Sequence, residues 1–376
     1  MAPENSAAWL PDKCVRPLQI GPAPYTPPKA GEIVVRNHAV AINPVDWIKQ
    51  SAGNAIMGYI KYPCILGGDV AGEVVEVGPD VERFQIGDRV IGQAAACAPT
   101  SNNPVEGAFQ HYTLIREHLA VTIPDFMSYE EAVVLPLAAL TAACGLFHQD
   151  FLALDPPTVP ATPLSANKAV IVTGGASSVG SNAIQLAVSA GYQVYSTASP
   201  KNFAYVEKLG ATKVFDYHSA VIVDDMVAAL KGKTVAGAFV VGDGAAEDCT
   251  KVLRQLGGSA NKFIAFAGSI VPPDALDTSL GTAKLMGGLI FWFGQRALVS
   301  CLTGVRTKFV EDENICQPDN VASRLVFRDF LPKALEARQF VPAPEPLVVG
   351  RGLEKIQEAM DLQKKGVSAK KIVVLL

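Results

Sequence analysis

From residue 168 onward the chain alternates short apolar runs with one-faced helical stretches, and this alternation restricts its folding more than any other feature. Residues 168–173 (KAVIVT) are rich in β-branched side chains and stop at Gly174-Gly175. Residues 179–190 then place apolar side chains at 179, 183, 184, 187 and 188, which is the spacing of a helix with one buried face. Gly191 follows, where a helix end favours glycine. The pattern repeats as strand 193–197, helix 201–209, strand 213–216, helix 224–230, strand 235–241, helix 246–256 and strand 262–267. Strands separated by helices connect as right-handed βαβ units, so this region is expected to be a parallel, doubly wound α/β sheet.

The first 130 residues read differently. Their β-type runs (32–40, 71–77 and 89–91) are divided by Gly and Pro, which predicts an antiparallel, barrel-like domain. A Pro-rich stretch, 155–163, reads as an exposed connector. A helix over 353–365 and a strand over 370–376 end the chain, and that strand is placed to complete the first domain.

Size and charge narrow the function. At 376 residues the chain exceeds what one hydrophobic core usually serves, and 49% apolar against 18% charged residues supplies ample material for two. A net charge of −4 argues against a nucleic-acid partner, which demands clustered Lys and Arg. Seven cysteines, an odd number with no C-x-x-C spacing, read as reduced intracellular thiols. No basic segment followed by an apolar run opens the sequence, and the apolar stretch 285–302 is interrupted by Gln295 and Arg296, which argues against a membrane span. That stretch is expected to be a buried strand or a subunit contact, with 287–293 a possible edge strand pairing across a two-fold axis. The expectation is a cytoplasmic protein, monomer or homodimer, acting on a small molecule.

The turn after the first α/β strand is Gly174-Gly175-Ala176-Ser177-Ser178-Val179-Gly180. Dinucleotide sites carry G-x-G-x-x-G at this place, and alignment on Gly180 puts Ser177 where the second glycine stands. A small residue there still lets the backbone approach a pyrophosphate, with the hydroxyls of Ser177 and Ser178 and the helix N-terminus at Val179 as donors. These residues with Gly175 form the expected cofactor turn of a Rossmann-type domain. An NAD enzyme places Asp or Glu at the end of the second strand; this chain has Ser199 and Lys201 and no acid until Glu207. A hydroxyl and a cation favour the 2′-phosphate of NADPH, and Tyr217 after the third strand is placed to add its hydroxyl.

Two segments carry a wider likeness: Ala41-Ile42-Asn43-Pro44-Val45-Asp46-Trp47, and the run from Leu66-Gly67-Gly68-Asp69-Val70-Ala71-Gly72 to Gly87-Asp88-Arg89-Val90. With the barrel first and the Rossmann-type region second, they resemble the medium-chain dehydrogenase/reductase superfamily. That resemblance implies a GroES-like catalytic domain over 1–135 with 315–376, a Rossmann domain over 136–314, and a cleft between them as active site. Zinc members of the superfamily use a Cys and a His-Glu pair where this chain has Asn43 and Gly68-Asp69. Cys97 stands alone where a four-Cys loop would lie, and the five histidines show no ligand spacing, so no metal is expected.

Asn-Pro-Val-Asp at 43–46 resembles the quinone oxidoreductase and enoyl reductase branch. Residues 140–147, 199–203 and 214–217 are similar to fungal stand-alone trans-enoyl reductases, whose relatives include proteins labelled zinc-type alcohol dehydrogenase-like. The resemblance implies that Asn43 and Thr141 lie against the nicotinamide, with Val240, Val241, Ala267 and Gly268 along the cofactor's path. Lys49 falls one place later than the lysine of polyketide-type enoyl reductases; with Tyr59 and Tyr62 it is a candidate proton donor. The expected activity is zinc-independent, NADPH-driven reduction of an activated C=C in an enoyl or enone substrate of secondary-metabolite type. The alternatives are an NADPH:quinone oxidoreductase and, in another class, a catalytically idle nucleotide-binding partner protein.

Overall fold

The computed structural model describes residues 3–242, 244–268, 281–311 and 316–376. Its strands are β1 (Asn5–Leu10), β2 (Gln19–Ala23), β3 (Glu32–Ala41), β4 (Cys64–Ile65), β5 (Asp69–Val77), β6 (Arg89–Gln93), β7 (Tyr112–Arg116), β8 (Ala120–Thr122), β9 (Lys168–Val172), β10 (Gln193–Ala198), β11 (Lys213–Asp216), β12 (Thr234–Val240), β13 (Phe263–Phe266), β14 (Arg306–Phe309), β15 (Glu345–Arg351) and β16 (Lys370–Leu375). The helices needed below are α1 (Pro44–Ala52), α2 (Tyr129–Ala132), α3 (Pro136–Phe147), α4 (Ser178–Ser189), α5 (Phe203–Lys208), α6 (Ile222–Leu230), α7 (Ala245–Leu256) and α8 (Gly281–Thr303).

Strands β9 to β14 form one parallel sheet in the order β11-β10-β9-β12-β13-β14. The chain starts in the middle, winds to one edge, then crosses to the other, so the winding reverses between the neighbours β9 and β12, the place beyond whose carboxyl ends open α/β sheets bind ligands. Side chains of β9 alternate between two cores: Val170 and Val172 join the one shared with α3 and α4, Ala169 and Ile171 the one under α6 and α7. The second sheet runs β15-β16-β3-β5-β6-β8, with β7 also on β3, and its strands are mostly antiparallel. Strand β16 pairs with both β3 and β15, so the end of the chain closes the sheet that its beginning opened.

Most elements expected from 168 onward are present with ends moved by one or two residues. In the expected helix 201–209, Pro200–Asn202 forms a tighter turn and the α-helix is confined to Phe203–Lys208. One expectation fails. Residues 285–302 are neither a buried strand nor an edge strand but lie in helix α8, on which Leu285 and Arg296 are buried while Ile290, Phe291, Phe293 and Leu298 are exposed. The stretch has only two β-branched residues, Ile290 and Val299, and four leucines, which helices favour. Its apolar character misled because apolar composition alone fits either element.

Helix α3 starts at Pro136, with its fixed φ, and is apolar nearly all round, so it is buried between the two sheets. Gly145 lets it press on β12: a Cβ there would stand 2.3 Å from the Phe239 ring. Gly145→Ala is therefore expected to destabilise the protein by about 1–3 kcal/mol through overpacking, read as a lower denaturant midpoint at unchanged slope.

Candidate active site

The carboxyl ends of β9, β10, β12 and β13 meet around the glycine-rich turn. Gly174 takes φ +60°, its N–H donates to Thr197 Oγ1 at 3.1 Å, and the Gly175 N–H donates to Thr197 O at 2.8 Å, which ties the turn to the end of β10. A Cβ on Gly175 would sit 2.3 Å from Ser196 Oγ, and one on Gly180 would sit 2.2 Å from Gly174 O. These glycines are therefore required for close packing of strand, turn and helix. Thr173 Oγ1 bonds both the N–H and the carbonyl of Val241, at 2.9 and 2.8 Å, and Gly268 lies against Gly242. Gly174, Val241, Gly242 and Gly268 thus come together at the strand ends, with the Ala267 N–H donating to Val240 O at 2.8 Å beside them.

The two serines of the turn differ in role. Ser177 is the N-cap of α4 and accepts from the Gly180 N–H at 3.0 Å. Ser178 Oγ is buried with no hydrogen-bond partner among the described residues. An orphaned hydroxyl beside the N-terminus of a twelve-residue helix that starts without an acidic residue fits a dinucleotide pyrophosphate. At the end of β10, Ser199 Oγ and Tyr217 Oη are 3.2 Å apart, with Tyr217 half exposed and Lys201 exposed on the following turn. The expected trio of Ser199, Lys201 and Tyr217 therefore comes from neighbouring strand ends.

On the other side of the cleft, three charged or amide side chains form a closed network. Lys371 Nζ, on β16, donates to Asn43 Oδ1 at 2.6 Å and pairs with Asp69 Oδ2 at 2.9 Å. Asn43 Nδ2 donates to the same carboxylate at 2.8 Å, and Asp69 Oδ1 accepts from the Leu137 N–H at 2.7 Å. Asp69 is fully buried and Lys371 nearly so. Asp69 thereby caps the first turn of α3, which its negative charge also favours electrostatically. Next to it, Asp46 accepts from the Asn43 N–H at 2.8 Å and the Gly67 N–H at 3.2 Å, which fixes the start of α1. Burial pushes the Asp46 carboxyl up to about 7 despite those two donors, with neighbouring Asp69 adding to the rise.

Several expected residues stand otherwise than proposed from sequence. Asn43 is buried with both ends of its amide engaged, so it holds the network in place and is not a free catalytic group. Lys49 faces inward: its ammonium donates to the carbonyls of Gly53 and Met57 at 3.0 Å each, lies 5.1 Å from the Tyr62 ring centre, and has its pKa lowered by burial. A lysine caged by carbonyls is poorly placed to hand a proton to a substrate. The Tyr59 hydroxyl is likewise engaged, donating to Cys97 O at 2.7 Å. Tyr62 differs, since its hydroxyl is buried without a partner among the described residues and burial raises its pKa to about 12. Thr141, on α3, donates to Leu137 O at 2.7 Å. Sequence reasoning missed Lys371 and the carboxylate role of Asp69, because nothing local links positions 69 and 371. Among the described residues no group of three His, Cys, Asp or Glu side chains is arranged to hold a metal ion.

Two outcomes follow for this cluster. Asp69→Asn and Lys371→Met each leave a partner buried and unpaired, at an expected cost of about 3–5 kcal/mol, and the double variant should cost clearly less than the sum in a double-mutant cycle. Asp46 titrates near 7 folded against 3.8 as a free side chain, so it binds its proton more tightly in the folded chain. Its contribution favours folding most at acid pH and fades as pH climbs from about 4 to about 7. Asp46→Asn should flatten that part of the stability profile, measured by urea unfolding across the window.

Residues 29–125 match the model of the alcohol dehydrogenase GroES-like domain. The chain is 49% identical over 374 residues to the dehydrogenase pigH of Monascus ruber, with 100% of each chain covered. It is 36% identical over 376 residues to the trans-enoyl reductase himH of Aspergillus japonicus, covering 98% of this chain and 97% of that one. Among solved structures it is similar to the CurK enoyl reductase, with a TM-score of 0.71, 19% identity and 99% of each chain covered, a likeness of fold. These relatives make the protein an oxidoreductase of a kind that uses a nicotinamide cofactor, in keeping with the crevice at the strand ends. The chain belongs to the medium-chain dehydrogenase/reductase superfamily, in its enoyl reductase-like branch.

Proposed function

We propose that this chain is an NADPH-dependent, zinc-independent reductase acting on an activated carbon–carbon double bond in a small enoyl or enone substrate. The observation that carries the cofactor choice is the Ser199–Tyr217 hydroxyl pair with exposed Lys201 at the end of β10, where an acid would serve NAD. Two hydroxyls and a cation suit a 2′-phosphate, which offers charged acceptor oxygens. NADPH would be held by Ser178, the glycine turn and this trio, and it supplies the hydride. The substrate class is supported by the relatives named trans-enoyl reductases. The absence of zinc is supported by Asn43 and Asp69, which stand in the segments where the resemblance implies the Cys and His-Glu of zinc members and are here tied up with Lys371 in a buried network.

An alkene conjugated to a carbonyl or thioester is already electrophilic, taking hydride at its β-carbon and a proton at its α-carbon. The protein then has to orient the acceptor, hold the negative charge that grows on its oxygen and exclude water. Asn43 and Asp69 contribute by fixing the N-termini of α1 and α3 at the cleft. In this reading the protein works on a small molecule in the cytoplasm.

Titration with NADPH and NADH, followed by loss of reduced-nicotinamide absorbance with enoyl thioesters, enones and quinones, tests the proposal. NADPH should bind tighter, and Lys201→Ala should weaken it about tenfold or more while leaving NADH unchanged. Preference for NADH would overturn the phosphate reading. Turnover of quinones alone would make the protein a quinone oxidoreductase, and binding with no turnover would make it a nucleotide-binding partner.

A further inference from the structure

On the far edge of the parallel sheet, helix α8 leans over β14 and encloses an open cleft of about 700 Å³. None of its lining residues belongs to the glycine turn, to the end of β10 or to the Asp69 network. Its walls are aromatic: Trp292 of α8 lies 5.0 Å from the Phe266 ring, and Phe309 of β14 lies 5.9 Å from the same ring. Its charged groups are mainly cationic, Arg296, Arg306 and Lys308 against Asp150. Lys308 is neutralised by Asp150 at 2.9 Å, whereas Arg306 is exposed with its guanidinium over the Phe263 ring at 5.2 Å.

Arg296, also lining the cleft, is only 5% exposed. One of its nitrogens, Nη2, pairs with Glu247 of α7. Nε and Nη1 have no hydrogen-bond partner among the described residues. Between them these two nitrogens carry three N–H donors. A buried guanidinium with most of its donors unmet is costly, and the ordinary remedies are a second acceptor or a move toward water. Packing of α8 on Phe266 and Glu247 holds Arg296 where it is, which leaves an acceptor brought by a ligand.

We propose that the α8–β14 cleft is a second binding site, separate from the cofactor crevice, for a small aromatic carboxylate. The ring would pack against the aromatic wall that Trp292 and Phe309 build over Phe266, and the carboxylate would accept from Arg296, with Arg306 adding long-range attraction at the mouth. Planar acids fit better than phosphates, because the walls are aromatic and only one arginine is buried. The assignment does not depend on which nucleotide or substrate the catalytic cleft takes.

The test uses the full chain and 2-naphthoate as probe, followed by calorimetry and by quenching of tryptophan fluorescence, with and without saturating NADPH. Saturable binding is expected that changes by less than about twofold with NADPH, that is at least about tenfold weaker for neutral 2-naphthamide, and that falls by at least about tenfold in Arg296→Gln. Arg306→Ala, an exposed change that the fold tolerates, should weaken it about threefold, and it carries the test if Arg296→Gln does not fold. Displacement by NADPH, or equal binding of acid and amide, would overturn the proposal. So would absence of naphthoate binding together with a dimer that Arg296→Gln dissociates, since a carboxylate of a second copy would then fill the cleft.

Discussion

The arrangement of the molecule depends on one buried ion pair. Lys371 and Asp69 come from opposite ends of the chain and meet at 2.9 Å with almost no solvent access. At that distance their attraction is on the order of 6 kcal/mol at an effective dielectric constant near 20. Taking both ions out of water costs several kcal/mol each, so the pair alone would not stabilise the fold. The balance is tipped by the hydrogen bonds that fill the remaining sites, from Asn43 and from the backbone of Leu137. Each of those bonds also aims an element: Asn43 is the N-cap of α1, and Leu137 lies in the first turn of α3. Because α3 packs on α4 and on Phe239 of β12, the pair sets how the antiparallel sheet stands against the parallel one.

The cofactor side is built by a different rule. There the determining groups are backbone and glycine, because a pyrophosphate needs close approach to N–H donors and has no use for bulk. Ser177 shows the economy of this arrangement. The residue that replaces a glycine of the usual fingerprint spends its hydroxyl on capping α4, while its neighbour Ser178 keeps an unmet hydroxyl at the same helix start.

How much was legible in the sequence follows from the range of each interaction. The α/β half was readable nearly residue by residue, since periodicity and glycine punctuation act within a few positions. Strand 213–216 coincides with Lys213–Asp216, and the end strand does pair with the first sheet. The glycine turn and the approach of Ser199 to Tyr217 were also legible, because motifs at strand ends set both. The engagement of Lys49 by the carbonyls at 53 and 57 and of Tyr59 by that of Cys97 was not legible, because the direction of a side chain depends on how the backbone around it folds. The same holds for Lys371, which lies in an ordinary apolar strand and acquires its role only through Asp69. Helix α8 was missed for another reason: an apolar run read without regard to β-branching does not distinguish strand from helix.

The pairing of β16 with β3 has a consequence for how the protein comes into being. The large antiparallel sheet begins with β3 in the first part of the chain, yet two of its strands, β15 and β16, are separated from the rest by the whole parallel domain. During synthesis the parallel domain can close on local βαβ contacts as it emerges, whereas the part made first must wait, with the edge of β3 unpaired and Asp69 without its cation. The portion that starts the chain is therefore finished last, and a nascent protein cannot assemble its catalytic cleft ahead of its nucleotide-binding half.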